Sequence, residues 1–359
     1  MQAERLTTAH RGATENPVNR FEKIHLEPDA DWQPDDDGEG GRPQGLRTQF
    51  FKDHSQTIIA RNDSPDVGFT ASLNPYRGCE HGCIYCYARP THEFLGFSAG
   101  LDFESKIMVK EDAPELLRAE LMSPKWQPQV LFLSGVTDCY QPVEAKLKLT
   151  RRCLEVLAEF RNPVFIITKN RLVTRDIDLL AELARHQAVA VWLSITTLDT
   201  ELRKIMEPRT SPPAARLDAI RELKQAGIPV GVNVAPVIPG LTDHEMPAIL
   251  QAAADAGATA AGYTVVRLPY AVAPLFEKWL ETHFPGRKEK VLKRLRSLRG
   301  GKLNDSRWGT RMSGEGIFAD QIGQMFEVAR RKAGIQNDSR ELSTAAFRRP
   351  LGAQLALFS

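Results

Sequence analysis

The chain has 359 residues, 42% of them hydrophobic and 26% charged, with a net charge of +2. That is enough for one large or two ordinary domains with a substantial core, in the proportions of a globular protein. No apolar run is long enough to span a bilayer, and Met1-Gln2-Ala3-Glu4-Arg5 lacks the apolar centre of a signal peptide. Five cysteines, three of them clustered, point to metal binding in a reducing compartment, hence the cytoplasm, rather than to disulfides.

Residues 1–45 read as a largely disordered N-terminal segment. The run 35–43 combines acids with turn formers, and only Phe21, Ile24, Leu26 and Trp32 offer apolar anchors. A lead-in segment over 46–65 follows, and then strands and helices alternate over 66–285. The first strand, 67–73, feeds Cys79-Glu80-His81-Gly82-Cys83-Ile84-Tyr85-Cys86. Three thiols in eight residues are too tight for separate structural roles, and thiolates favour zinc or iron–sulfur. A structural zinc wants four closed ligands, with His81 the available fourth. A [4Fe–4S] cluster held by Cys79, Cys83 and Cys86 instead leaves one iron free to bind something else.

Helices are expected over 113–122, 144–160, 176–185, 213–226, 243–257 and 274–283. Strands are expected over 130–134, 164–169, 189–194, 229–234 and 259–266, short apolar runs suited to burial on both faces. Cys153 falls inside a helix as a small packed hydrophobe. Ser211, ahead of two prolines, suits the start of its helix and Gly227 the end. Six βα units in succession imply a parallel, right-handed wound sheet. No Gly-x-Gly-x-x-Gly follows the first strand, so an incomplete six-stranded barrel fits better than a dinucleotide-binding sheet. Working residues gather at the C-terminal ends of such strands, which here are 134–138, 168–170, 194–197, 233–236 and 267–270.

The Cys-x3-Cys-x2-Cys spacing resembles the signature of radical S-adenosylmethionine (SAM) enzymes. That resemblance implies a partial (β/α)6 barrel, a [4Fe–4S] cluster and SAM, whose reductive cleavage yields a 5′-deoxyadenosyl radical. It also implies an external one-electron reductant. Within the superfamily, residues from about 74 to 243 resemble the spore photoproduct lyase group. The likeness is carried by Tyr85-Cys86-Tyr87, Thr137-Asp138, Thr168-Lys169, Ser194-Ile195, Glu207-Pro208-Arg209-Thr210-Ser211-Pro212 and Val234-Ala235-Pro236. It implies that Lys169, Ser194 and Ala235 bind SAM, with Lys169 on the methionine carboxylate, and that Tyr87 packs on SAM or relays a radical. The lyases' catalytic cysteine, however, is matched here by Gly135. Cys139, four residues on, is the thiol placed to substitute as hydrogen donor. Thymine-dimer reversal is therefore not expected to carry over.

Between 287 and 311, ten lysines and arginines face only Glu289 and Asp305, a local excess of eight, so the rest of the chain carries −6. This basic helical extension, 286–335, suggests a polyanionic partner. A helix over 287–299 sets Val291, Leu292, Leu295 and Leu298 on one face. The glycine-rich loop 300–309 holds Trp308, a ring suited to an unstacked base. In a further helix, 317–333, Ile322, Met325, Phe326 and Ala329 are placed to cover the open side of the barrel. The last segment, 336–359, is a flexible tail. Its Gln354, Leu355, Leu357 and Phe358 resemble the peptide by which bacterial polymerases and repair proteins dock on the sliding clamp, a segment that orders on a groove. Together these features predict a radical SAM enzyme acting on DNA, in lyase-type repair or base modification. Modification of RNA or a protein is an alternative, and so is a non-catalytic zinc-containing nucleic-acid adaptor.

Overall fold

The computed structural model describes residues 10–21, 46–336 and 341–350. In chain order its strands are β1 (Gln49–Lys52), β2 (Ile59–Arg61), β3 (Ala71–Leu73), β4 (Tyr76–Arg77), β5 (Lys106–Val109), β6 (Leu131–Leu133), β7 (Val164–Thr168), β8 (Val189–Ser194), β9 (Val230–Val237) and β10 (Ala260–Val265). The helices are α1 (Leu101–Ser105), α2 (Ala113–Met122), α3 (Glu144–Leu147), α4 (Leu149–Phe160), α5 (Ile177–Arg185), α6 (Thr200–Met206), α7 (Pro213–Gln225), α8 (Met246–Asp255), α9 (Val272–His283), α10 (Lys288–Ser297) and α11 (Ile317–Lys332).

One sheet runs β10-β9-β8-β7-β6-β3-β2. All its pairings are parallel except β2 on β3. The six parallel strands lie side by side in sequence order. Crossovers of one hand then place the helices that connect these strands on one face, and the twisted sheet curls into the expected partial barrel. β1, β5 and β4 form a separate small sheet. Val164, Ile166, Val189, Val191, Leu193, Val230, Val232 and Val234 face the helices in one buried core with Leu154, Leu183, Ile220 and Leu250.

The opposite, concave face is floored by aromatic rings. Phe69, Phe132, Phe165 and Trp192 follow one another with centroids 4.0, 5.6 and 5.5 Å apart. Trp192 lies flat across the next two strands because those strands present glycine. A Cβ on Gly231 would come within 2.6 Å of the indole, and one on Gly262 within 2.9 Å.

Several local expectations change. The first strand is only the three residues of β3. The helix expected over 144–160 breaks at Lys148, which takes φ 54° and separates α3 from α4. Ser211 does not cap α7. Its hydroxyl instead accepts the Arg171 N–H and donates to Asn170 Oδ1. Residues 10–21, read as part of a loose segment, pack against the cysteine loop as described below. α11 lies against α8, with Phe326 4.7 Å from the Tyr263 ring on the helix-covered face of β10. The open side is bridged instead by the loop 300–316. There Gly309 N–H donates to Asp66 Oδ1 at 2.7 Å and Arg311 Nε meets Asp66 Oδ2 at 2.6 Å, tying the last strand to the hairpin that leads into the first.

Candidate metal and cofactor site

The cysteine loop sits where β3 ends, and buried charge holds its shape. Arg89 is fully buried. Its guanidinium donates to the carbonyls of Gly82, Cys83, Ala99 and Gly100 and to Glu104 Oε1 at 2.5 Å. Glu104 in turn accepts the backbone N–H groups of Gly12 and Ala13 at 2.9 and 2.8 Å. The N-terminal arm thus presses on the loop, and a Cβ on Gly12 would stand 1.7 Å from Gly82 O. From the other side, Glu80 accepts Val143 N–H at 2.6 Å and pairs with Arg209 at 3.0 Å.

Cys83 and Cys86 are raised above the ordinary thiol range, first by burial and then by neighbouring charge, each feeling Cys79. The three thiols are therefore electrostatic neighbours on one loop. Among the described residues, no three His, Cys, Asp or Glu side chains are grouped as ligands of a single metal ion. Three thiolates on one zinc stand about 3.8 Å apart, whereas a cuboidal cluster takes each thiolate on a different iron and spaces them more widely. His81 is not a free fourth ligand. Its Nδ1 is 3.3 Å from Asp138 Oδ2 and its Nε2 3.3 Å from Asn170 Nδ2. Burial opposes charge on that ring, but Asp138 and Cys79 carry its pKa up to about 10. Burial likewise opposes the Asp138 carboxylate, and His81 with the Lys169 N–H and Thr168 hydroxyl hold it down to about 2.

The strand ends facing the loop bring Lys169, Ser194 and Ala235 together. Lys169 Nζ donates to Ala235 O at 3.0 Å and lies 4.0 Å from Glu207 Oε1. Ser194 is buried, and its hydroxyl makes no hydrogen bond among the described residues. Glu207, missed by the sequence reading as a charge centre, is fully buried at the hub. It accepts from Thr196 Oγ1 at 2.6 Å, from Arg216 Nη2 at 2.5 Å and from the Tyr85 hydroxyl. Burial opposes its charge, while Arg216 and Lys169 keep its pKa down to about 2. Tyr85 therefore links the cysteine loop to the strand ends.

Tyr87 lies at the mouth, 47% exposed, with its hydroxyl donating to Gly135 O at 2.7 Å. Cys139 is placed differently from expectation. Its side chain is fully buried within the sheet–helix core, burial raises its thiol well above the usual range, and its N–H is turned to Ser134 Oγ. A thiol packed in that core is not exposed at the mouth. Trp308 is exposed as expected, at 60%. The basic extension is less charged than its sequence implies, since Arg294, Arg307 and Arg311 pair with Asp243, Asp305 and Asp66. Gln354, Leu355, Leu357 and Phe358 lie outside the described residues.

A parallel partial barrel whose mouth carries three thiols on one loop, beside a lysine and a free hydroxyl, offers the donors to hold a metal cluster and a small polar cofactor. The chain belongs to the radical SAM superfamily, whose family model matches residues 73–253. The cofactors that go with this superfamily are a [4Fe–4S] cluster and SAM. An uncharacterized protein of Mycobacterium tuberculosis is 38% identical over 219 residues, 60% of this chain and 64% of that protein. The match thus spans a little under two thirds of that relative's length. The radical SAM Nα-GlyT isomerase of Pseudomonas phage M6 is 27% identical over 173 residues, 48% of this chain and 34% of that one. Among solved structures, spore photoproduct lyase complexed with dinucleoside spore photoproduct superposes with a TM-score of 0.55 at 16% identity, covering 80% of this chain and 79% of that one. This is a likeness of fold. No helix among the described residues is long and apolar enough to cross a membrane.

Proposed function

We propose that this radical SAM enzyme acts on DNA, repairing or modifying a base. Cys79, Cys83 and Cys86 hold the cluster, and Lys169, Ser194 and Ala235 hold SAM. Bound together, the two cofactors supply hydrogen-atom abstraction by a SAM-derived carbon radical. The protein's own share is to bind, orient and keep water out, with Tyr87 at the mouth beside the position where the lyases carry cysteine. The electron comes from an external one-electron reductant, and the reducing compartment this needs suits five unpaired cysteines.

The observation that carries the DNA reading is the concave floor. The half-buried Trp192 ring lies below Ser194 and beside Asn233, which pairs in register with Ser194 and Gly262. The Asn233 amide makes no hydrogen bond among the described residues. A flat ring to stack on and an unspent donor–acceptor amide suit a nucleobase. One solved structure of the same fold is a lyase complexed with a dinucleoside, spore photoproduct. The test is anaerobic turnover with deuterium-labelled oligonucleotides, reading label in 5′-deoxyadenosine. Label should appear, and Trp192→Ala should raise the oligonucleotide KM by about 10- to 100-fold, the worth of one stacked base. Transfer from labelled RNA or peptide, and none from DNA, would overturn the DNA reading.

The C-terminal tail we assign to sliding-clamp docking. The described segment 341–350 supports this by the route it takes. Ser343 N–H donates to Gln187 O, Arg348 N–H to Phe160 O, and Arg349 to the carbonyls of Ser123 and Trp126. Those acceptors precede β8, β7 and β6, so the chain is handed off at the pole opposite the mouth. A partner there would leave the barrel open to substrate. Added clamp should shift this protein in gel filtration, and removal of residues 354–359 should abolish the shift. A shift that survives the deletion places the contact elsewhere.

A further inference from the structure

Four guanidiniums crowd the C-terminal end of β10. Arg299 is buried and spends its donors on the carbonyls of Val265, Val266, Thr310 and Arg311. Arg307 is bound by Asp305 and Glu315, and Arg311 by Asp66. Arg267 is different. It is half-buried, with its Cζ 4.7 Å over the Tyr87 ring, yet among the described residues it makes no hydrogen bond and no ion pair. Asp66, the carboxylate that acts on it at a distance, is already engaged by Arg311 and by Gly309 N–H. Burial lowers the Arg267 pKa, and the charge of Arg311 adds to that.

A partly desolvated guanidinium beside like charges is unfavourable unless an anion completes it. No described residue does so. The ring beneath holds the guanidinium by cation–π contact and leaves its N–H groups unspent, a fork that matches a phosphate in bidentate fashion. We infer that Arg267, seated on Tyr87, is the binding site for a phosphodiester of the substrate, holding the backbone at the rim while the base enters over the aromatic floor. This rests on the DNA reading above and adds to it a residue outside the cluster and SAM positions.

The test uses the reconstituted holoenzyme, anaerobic and with SAM bound. It measures anisotropy of a fluorescein-labelled single-stranded DNA oligonucleotide across a salt series, and SAM affinity separately by equilibrium dialysis. Arg267→Gln should weaken oligonucleotide binding about tenfold and flatten the slope of log K against log salt by about 0.7, one phosphate's share on a single strand. Arg267→Lys should restore part of the affinity, since it returns the charge without the fork. SAM affinity should hold and the urea midpoint should move only slightly, because the guanidinium's one tie to another element is the cation–π contact with Tyr87. Unchanged oligonucleotide binding in Arg267→Gln overturns the assignment and leaves the DNA reading standing. A parallel fall in SAM affinity also overturns it, making the anion the methionine carboxylate. No binding by the wild-type protein sinks the DNA reading and the phosphodiester with it.

Discussion

Alanine at Cys79, Cys83 or Cys86 is expected to take reconstituted iron from about four per chain to near none, and SAM cleavage with it, while the fold survives. The two halves of that expectation have separate causes. The loop's shape belongs to Arg89, Glu104, the Gly12 contact and the Glu80–Arg209 pair, and the substitution touches none of these. Truncating a small buried thiol costs about 1 kcal/mol, within what a urea melt of the metal-free protein resolves. A cubane held by three protein ligands, in contrast, has no free fourth side chain to fall back on among the described residues near the loop. His81 is committed to Asp138 and Asn170, and Cys139 faces the core. A variant that keeps its iron and still cleaves SAM would remove that cysteine from the ligand set. One that loses iron and also melts far earlier would show that the loop depends on its metal rather than on Arg89.

How far the chain could be read in advance follows from the range of the forces involved. The strands β6 to β10 are short apolar runs because both faces are covered, and such runs are visible in one dimension. The cysteine spacing is equally local. Glu207 and Arg216 were not legible as a pair. Nothing in a nine-residue separation says that both will be fully buried and that Glu207 will meet Tyr85, more than a hundred residues earlier. Residues 10–21 looked loose because their anchors are polar. Arg11, Gly12 and Ala13 are held by Glu104 rather than by an apolar stripe. Cys139 misled for the opposite reason. Sequence places it at a strand end, but Ser134 at φ 90° turns the backbone there, and the following residues re-enter the core. The unpaired state of Arg267 could only be seen once Arg299, Arg307 and Arg311 had been given their partners.

Glu207→Gln is expected to destabilise the protein by about 3–5 kcal/mol, the cost of leaving one member of a buried ion pair uncompensated. Arg216 would keep its contacts to the carbonyls of Ser194 and Ser211, both at 2.8 Å, but lose the charge that matches it. Lys169 would lose the carboxylate 4.0 Å away, and Tyr85 would exchange a charged acceptor for a neutral one, so SAM affinity should fall with stability. The pH dependence has a definite sign. The folded pKa of Glu207, about 2, lies below its ordinary 4.5. Its contribution is therefore full above pH 4.5 and lost as pH falls from there toward 2. Wild-type stability should drop steeply across that window and the glutamine variant more gently, with Asp138, also held near 2, supplying the slope that remains. Removing both charges in Glu207→Gln/Arg216→Met should recover much of the loss, because a buried pair replaced together costs far less than one partner removed alone. A single variant that unfolds at the wild-type urea concentration would mean that Glu207 is not the charge on which Arg216 depends. A double variant no better than the single would assign the cost to the hydroxyl and backbone contacts instead.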